Sequence, residues 1–318
     1  MAVNLLGRSL LTLIDYTPEE IGYLLDLSAK VKKQRQAGEQ HRRFEGKTLA
    51  LLFEKRSTRT RCAFETAFGE ENGHPVFLSS NDIHLGVKET VEDTARVLGR
   101  MFDAIQFRGF SQDVVATLAA HAGIPVYNGL TDLYHPTQIL ADLLTVIEEF
   151  GELRGKTLTY VGDGRNNMAR SLMIGCAKTG ANFTIVAPES LVPDGKSVAL
   201  SKEYAAASGS TIKVTSSVEE GIPGSDVVYT DVWVSMGEES KSQERLALLK
   251  PYQVNASLME RTGKKDAIFM HCLPAVRENE VTSEVMDGAQ SRVWDEAENR
   301  KHTIKAVMLA TLLPPEKL

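Results

Sequence analysis

The 318-residue sequence predicts an α/β protein of two domains, each a parallel sheet with helices on both faces. Apolar runs of strand length alternate with segments of helical periodicity along most of the chain, and this pattern is typical of parallel α/β sheets. The length exceeds that of one average domain and fits two. A polar segment at 151–155, with a glycine at each end, is the predicted hinge.

The first predicted domain covers residues 1–150, and the second covers residues 151–301. In the first domain, Thr17 and Pro18 mark the start of a helix that is predicted to run to about residue 36. Strands are predicted at 49–53, 75–78, 104–107 and 124–127. Further helices are predicted from Thr90 toward residue 101, at 111–121, and from Pro136 to about residue 150.

The second half of the chain repeats the alternation. Strands are predicted at 156–161, 182–187, 225–230 and 267–270, with a helix after the first of them. A last helix is predicted at 302–312, and its apolar face needs a surface to pack on. We therefore expect the segment 302–318 to return to the first domain.

The composition favours an ordinary globular protein, with 42% hydrophobic and 25% charged residues. A net charge of −6 argues against a nucleic-acid partner, which needs a basic face. No apolar segment reaches the length of a membrane-spanning helix, so no membrane partner is expected. The three cysteines are widely spaced and lack metal-ligand spacing, which favours reduced thiols, a cytoplasmic location and no bound metal.

A polar segment, Ser57-Thr58-Arg59-Thr60-Arg61, lies where the strand at 49–53 turns into a helix. The first turn of a helix offers unpaired N–H groups and the positive end of the dipole, and both favour a phosphate. Hydroxyl and guanidinium donors at this point would add charge-assisted hydrogen bonds. The alternative is a capped helix with solvated arginines, because serine and threonine favour caps on their own account.

Other polar residues follow other strand ends of the same predicted sheet. Arg108 ends the third strand, and His135 with Gln138 opens the helix after the fourth, one turn apart on one face. Ligands of such sheets bind beyond the carboxyl ends of the strands. The convergence therefore indicates a functional site, although a histidine at a helix start is commonly a cap or a surface residue.

Residues 162–167 of the second domain partly match a dinucleotide-binding fingerprint. Arg165, Asn166 and Asn167 fill the turn with bulky polar groups where a pyrophosphate needs bare backbone, so the nucleotide interpretation is weak. Two adjacent amides suit a small zwitterion or carboxylate instead. Asp231 and Cys272 also follow strands, where an aspartate commonly caps a turn and a lone cysteine is commonly a small buried hydrophobe.

Three motifs occur in order along the chain: the segment 57–61, His135-Pro136-Thr137-Gln138 and His271-Cys272-Leu273-Pro274. Together they make nearly the whole chain resemble the aspartate/ornithine carbamoyltransferase family. The stretch Asp231-Val232-Trp233, followed by Ser235-Met236-Gly237, makes it most similar to the members of that family that act on ornithine.

The resemblance implies transfer of the carbamoyl group of carbamoyl phosphate to the side-chain amine of L-ornithine, giving L-citrulline and phosphate. It implies no cofactor and a homotrimer or a multiple of trimers. The implied carbamoyl phosphate ligands are Ser57, Thr58, Arg59, Thr60, His84, Arg108, His135, Gln138, Cys272, Leu273 and Arg300. The implied ornithine ligands are Asn167, Asp231, Ser235 and Met236. Within these sets Arg108, His135, Cys272 and Arg300 are the implied catalytic residues, and His84 is implied to reach into a neighbouring subunit.

Three rival functions stay open at this stage. A carbamoyltransferase for aspartate or putrescine would share the first motif, but putrescine has no α-carboxylate for Asn167 and the segment 235–237. A nicotinamide-dependent dehydrogenase would bind its cofactor at 162–167. A binding protein without activity would not need Arg59, Arg108, His135 and Cys272 all to be present.

Overall fold

The computed structural model describes residues 3–79, 88–234 and 242–318. Its β-strands, numbered in chain order, are β1 (Thr48–Phe53), β2 (His74–Ser79), β3 (Ala104–Arg108), β4 (Val126–Leu130), β5 (Thr157–Val161), β6 (Asn182–Val186), β7 (Ile212–Thr215), β8 (Val227–Thr230) and β9 (Ile268–His271). Its α-helices are α1 (Pro18–Gln36), α2 (Thr58–Gly69), α3 (Val91–Met101), α4 (Gln112–Ala122), α5 (Pro136–Phe150), α6 (Asn167–Thr179), α7 (Gly195–Ser208), α8 (Val218–Gly221), α9 (Ser242–Leu249), α10 (Ala256–Glu260), α11 (Ser283–Met286) and α12 (Val293–Leu312).

Contacts divide the chain into two compact units. The first unit comprises Met1–Leu144 and Glu298–Leu318, and the second unit comprises Thr145–Ala297. Each contains one parallel sheet, in the strand order β2-β1-β3-β4 in the first unit and β7-β6-β5-β8-β9 in the second. The predicted fold class, two parallel-sheet α/β domains, is therefore confirmed.

Helices cover both faces of the first sheet, and successive strand residues point to opposite faces, so side chains pack on both sides. One face presents Leu52 and Phe107 to the buried apolar side chains of α3 and α4. On the other face, the ring of Tyr127 stacks on Phe64 of α2 with 6.1 Å between the ring centres. Strand β1 reads as a nearly continuous apolar run because it is buried on both faces, whereas the edge strand β2 is half-buried.

The closing helix α12 packs on the first unit, as the sequence predicts. The Tyr127 hydroxyl lies 2.7 Å from the hydroxyl of Thr311, and both side chains are buried. Lys305 donates to Glu70 at 2.7 Å, and Lys32 of α1 donates to Asn299 at 2.8 Å. These contacts hold the C-terminal part of α12 beside α1 and α2.

The structure differs from the sequence predictions at several elements. The helix α12 begins at Val293, well before the predicted residue 302. The strand β7 was not predicted, because it is a four-residue edge strand in which only Ile212 is buried. The division between units falls a few residues before the predicted bounds at 150 and 301. An ion pair of 2.7 Å between Arg292 and Glu149 ties the end of α5 to the second unit.

No helix among the described residues is both long enough and apolar enough to span a bilayer.

The contact between α3 and α4 predicts opposite effects for two helical glycines. A Cβ on Gly99 would lie 1.8 Å from the backbone oxygen of Ala122, whereas a Cβ on Gly22 of α1 would meet nothing within 4 Å. We expect Gly99→Ala to reduce the free energy of unfolding by roughly 1–3 kcal/mol, because α3 and α4 must separate. We expect Gly22→Ala, the matched control, to raise it by up to about 1 kcal/mol. Urea unfolding followed by circular dichroism measures both, and equal effects would contradict this account of the packing.

Candidate active site

The segment 57–61 opens helix α2 directly after β1, as predicted. Ser57 is the N-cap, and its hydroxyl oxygen accepts the backbone N–H of Thr60 at 3.2 Å. The capping alternative is therefore correct for Ser57. It does not exclude an anion, because the serine hydroxyl still has a proton to donate and the turn still has the positive end of the helix dipole.

Two arginines converge on the hydroxyl of Thr60, which is fully buried. Arg108, the last residue of β3, donates to this oxygen at 3.0 Å. Arg300 of α12 donates to the same oxygen, also at 3.0 Å. Only 9% of Arg108 and 2% of Arg300 are exposed, so water screens their charges little. The first unit therefore concentrates positive charge at the carboxyl ends of β1 and β3.

His135 and Gln138 lie at the start of α5. Arg300 donates to the side-chain oxygen of Gln138 at 2.6 Å, so Gln138 belongs to the hydrogen-bond network around Thr60. Burial and then the charges of Arg300, Arg108 and Arg59 hold the pKa of His135 well below its ordinary value of 6.5. The imidazole is therefore neutral at physiological pH, and one of its nitrogens can donate a hydrogen bond.

In the second unit, Asp231 follows β8 and Cys272 follows β9. The Cys272 thiol donates to the Asp231 carboxylate at 3.2 Å, and the backbone N–H of Val232 donates to the same oxygen at 2.8 Å. Burial raises the pKa of Asp231, and the neighbouring His271 and Cys272 partly offset that rise. Asn166, the N-cap of α6, donates to the other carboxylate oxygen at 3.2 Å.

The segment from His271 to Leu273 is fixed by its own hydrogen bonds. The Leu273 N–H donates to Nδ1 of His271 at 2.8 Å, and Nε2 lies 3.3 Å from buried Glu280. The backbone N–H of His271 donates to Glu296 at 2.9 Å. Asp231, His271 and Cys272 present possible metal-ligand atoms within 4.8 Å of one another. Because both His271 nitrogens already have partners, we assign no metal to this group.

The structure brings most of the predicted residues together within their own units. The first unit gathers Ser57, Arg59, Thr60, Arg108, His135, Gln138 and Arg300, with Thr58 exposed on the first turn of α2. The second unit pairs Cys272 with Asp231. Asn167 is the first residue of α6, and its neighbour Asn166 makes the contact to Asp231. His84, Ser235 and Met236 lie outside the described residues.

Several contacting residues were not predicted. Asp142 accepts from Gln138 at 2.8 Å, and its signal was its position four residues further along the same helix. Glu280 and Glu296 lie far from His271 along the chain, and no local pattern links them to it.

Comparison with known proteins places the chain in a family. Residues 8–148 match the carbamoyl-P binding domain of aspartate/ornithine carbamoyltransferase, and residues 154–311 match its Asp/Orn binding domain. The chain therefore belongs to the aspartate/ornithine carbamoyltransferase family.

Individual relatives within that family share most of their length with this chain. It is 65% identical to the ornithine carbamoyltransferase of Caldanaerobacter subterraneus over 98% of this chain and 100% of that one. It is 63% identical to the ornithine carbamoyltransferase of Thermotoga maritima, again over 98% of this chain and 100% of that one. The solved ornithine carbamoyltransferase of Pyrococcus furiosus is 45% identical, with a TM-score of 0.95 over 98% of this chain and 99% of that one.

The pKa of His135 tests whether its surroundings are buried and positively charged. Because burial and three arginines lower that pKa, the imidazole should show no protonation step between pH 6 and pH 8. The unfolded chain does take up a proton as the pH falls through the ordinary value of 6.5, so this histidine costs stability on the acid side. Imidazole ¹⁵N shifts over a pH titration measure it, with His135→Gln to assign the signal. A protonation step near pH 6.5 would contradict the buried, positively charged surroundings assigned to His135.

Proposed function

We propose that this protein transfers the carbamoyl group of carbamoyl phosphate to the side-chain amine of L-ornithine, forming L-citrulline and phosphate. One observation carries the proposal: two buried arginines share the Thr60 hydroxyl beside a neutral histidine. Such a site suits a compact dianion with a carbonyl next to it. The family and its ornithine-named relatives support the same reaction.

In the first unit, the phosphate binds at the start of α2. Ser57, Thr58, Arg59 and Thr60 supply hydroxyl, guanidinium and backbone donors there, as at other helix N-termini that hold phosphates. Arg300 adds charge from α12. Arg108 and His135 point their donors at the carbamoyl oxygen and stabilise the negative charge that develops on it. A neutral imidazole suits this task because it donates one hydrogen bond without adding a further repelling charge.

In the second unit, ornithine binds around Asp231, Asn167 and the segment 272–273. Ser235 and Met236 join this set on the strength of the family resemblance. Burial raises the pKa of Asp231, and an ammonium group of ornithine beside it would favour the charged carboxylate again. The Cys272 thiol and the Leu273 carbonyl flank the reacting groups.

The reaction needs a neutral amine, a polarised carbonyl and a stabilised leaving group. The ornithine amine, with a pKa of ~10.4 in water, first loses a proton to the solvent. Its nitrogen then attacks the carbamoyl carbon, the bond from that carbon to the phosphate oxygen breaks, and the leaving phosphate takes the proton that the nitrogen releases. Positioning of two substrates can supply ~7–11 kcal/mol of the barrier reduction. We therefore assign the larger share of catalysis to binding geometry, and no step calls for a cofactor.

We also propose that the active form is a homotrimer or a multiple of trimers in the cytoplasm. In this arrangement His84 contributes to the carbamoyl phosphate site of the neighbouring subunit. The family resemblance supports the assembly, and the reduced-thiol pattern of the three cysteines supports the compartment.

The substrate assignment is tested by citrulline formation from carbamoyl phosphate and ornithine. Putrescine and aspartate, assayed in parallel, should give at most a few per cent of the ornithine rate. Comparable rates with putrescine would overturn the assignment of the second unit to an α-amino acid.

Arg59 and Arg61 form a matched pair for testing the phosphate site. Arg59 contributes charge at His135, whereas Arg61 is exposed, pairs with Glu65 at 2.9 Å and stacks on Phe77. We expect Arg59→Ala to weaken carbamoyl phosphate binding at a cost of ~3 kcal/mol or more, since it removes a charge-assisted contact. Arg61→Ala should bind within about threefold of wild type, because an exposed ion pair contributes little. Calorimetry measures both, and near-normal affinity in the Arg59 variant would refute the phosphate assignment.

The shared-site proposal predicts rescue by mixing two inactive variants. His84→Ala subunits keep Arg59, and Arg59→Ala subunits keep His84, so a mixed trimer contains some sites with both residues. We expect the co-refolded mixture to recover substantial citrulline-forming activity, while each variant refolded alone stays nearly inactive. Hybrid trimers verified by mass spectrometry that remain as inactive as their parents would contradict the shared site.

A further inference from the structure

The side-chain amide of Gln138 is held at both ends. Its oxygen accepts from Arg300 at 2.6 Å, and its nitrogen donates to a carboxylate oxygen of Asp142 at 2.8 Å. A guanidinium can only donate and a carboxylate can only accept, so a reversed amide would oppose two donors at one end and two acceptors at the other. The pair Arg300 and Asp142 therefore fixes which way the amide faces.

Asp142 is an unusual residue for its position in α5. It is fully buried, and the residues before and after it, Ala141 and Leu143, are fully buried and apolar. An exposed glutamine–aspartate pair four residues apart is a common helix-stabilising contact. A buried carboxylate is different, because removing its charge from water carries a large penalty that an apolar residue would avoid. The position of Asp142 calls for a role beyond helix stability.

We propose that Asp142 is a positioning residue that makes the first unit select a carbamoyl group over other acyl groups. Its carboxylate binds the Gln138 amide nitrogen, so the amide oxygen faces Arg300. A carbonyl oxygen has two lone pairs. Beside the hydrogen bond from Arg300, this oxygen accepts an N–H of the carbamoyl amino group. This inference rests on the proposed function, in which Gln138 contacts the carbamoyl group.

Acetyl phosphate is the natural probe, because it keeps the phosphate and the carbonyl but carries a methyl group in place of the amino group. It offers no N–H to the Gln138 oxygen and leaves that hydrogen bond unmade. If the amide could reverse, its NH₂ would oppose the carbamoyl NH₂ and the advantage of the carbamoyl group would vanish. A site that hydrogen-bonds one substituent discriminates against an analogue without it far more strongly than an apolar pocket does.

The test measures a preference ratio in the citrulline assay: the inhibition constant of acetyl phosphate divided by the KM for carbamoyl phosphate. Asp142→Asn keeps an acceptor oxygen and should hold the ratio within about threefold of wild type. Asp142→Leu has a similar size but no acceptor, and its ratio should fall about tenfold or more. The inhibition constant of inorganic phosphate should stay within about threefold in both variants, because phosphate carries no group for Gln138.

A second variant shows whether Asp142 acts through Gln138. Gln138→Met removes the amide and should lower the ratio as Asp142→Leu does, and the double variant should lower it no further. If Asp142→Leu does not fold, Gln138→Met alone decides, and an unchanged ratio in it overturns the proposal. If Asp142→Leu loses equal affinity for phosphate, acetyl phosphate and carbamoyl phosphate, the role of Asp142 is only structural. That result would also overturn the proposal. Wild-type protein that forms no citrulline would overturn the proposed function and this inference together.

Discussion

Two positively charged side chains of the first unit donate hydrogen bonds to one uncharged hydroxyl oxygen, that of Thr60. The proposed anion site depends on this arrangement. Arg108 and Arg300 each lie 3.0 Å from the Thr60 hydroxyl oxygen, so their charges are at most a few ångströms apart. At an effective dielectric constant of ~20, such a pair repels by roughly 3 kcal/mol. A bound dianion attracts both guanidinium groups and so offsets the repulsion between them. Burial and then the same charges lower the pKa of His135 and keep it neutral, so the buried arginines explain the anion site and contribute to the uncharged donor beside it.

The fold places Arg300 beside Thr60 because the C-terminal part of α12 packs on the first unit. Arg300 reaches Thr60 only because α12 is fixed on the first unit by Lys305, Thr311 and Asn299. Lys305 and Lys301 both contact Glu70, and although burial raises the pKa of that carboxyl, these two lysines lower it below its ordinary value. The ion pairs and the anion site therefore depend on the same helix. Loss of α12 packing would remove a ligand as well as stability.

Local signals in the sequence predicted local structure well. Threonine and proline at 17 and 18 marked the start of α1, and the structure has a capping box between Thr17 and Glu20 there. Contacts between residues that are far apart in the sequence gave no local signal of this kind. Gln138 and Arg300 are 162 positions apart, and only the family resemblance joined them before the structure did. Asp142 was not predicted because its role depends on its contact with Gln138. Asn166 was not predicted as the contact to Asp231 because the sequence does not show which of the two adjacent asparagines reaches that carboxylate.

The account is tested most directly at Thr60, because that hydroxyl holds the two arginines together. Calorimetric binding of carbamoyl phosphate should be compared between wild type, Thr60→Val and Thr66→Val, a matched change at an exposed position of the same helix. We expect affinity to fall by about thirtyfold or more in Thr60→Val, which loses an acceptor shared by two charged donors. Thr66→Val should bind as wild type does. Unchanged affinity in Thr60→Val, with the fold intact by circular dichroism, would contradict the central role of this hydroxyl.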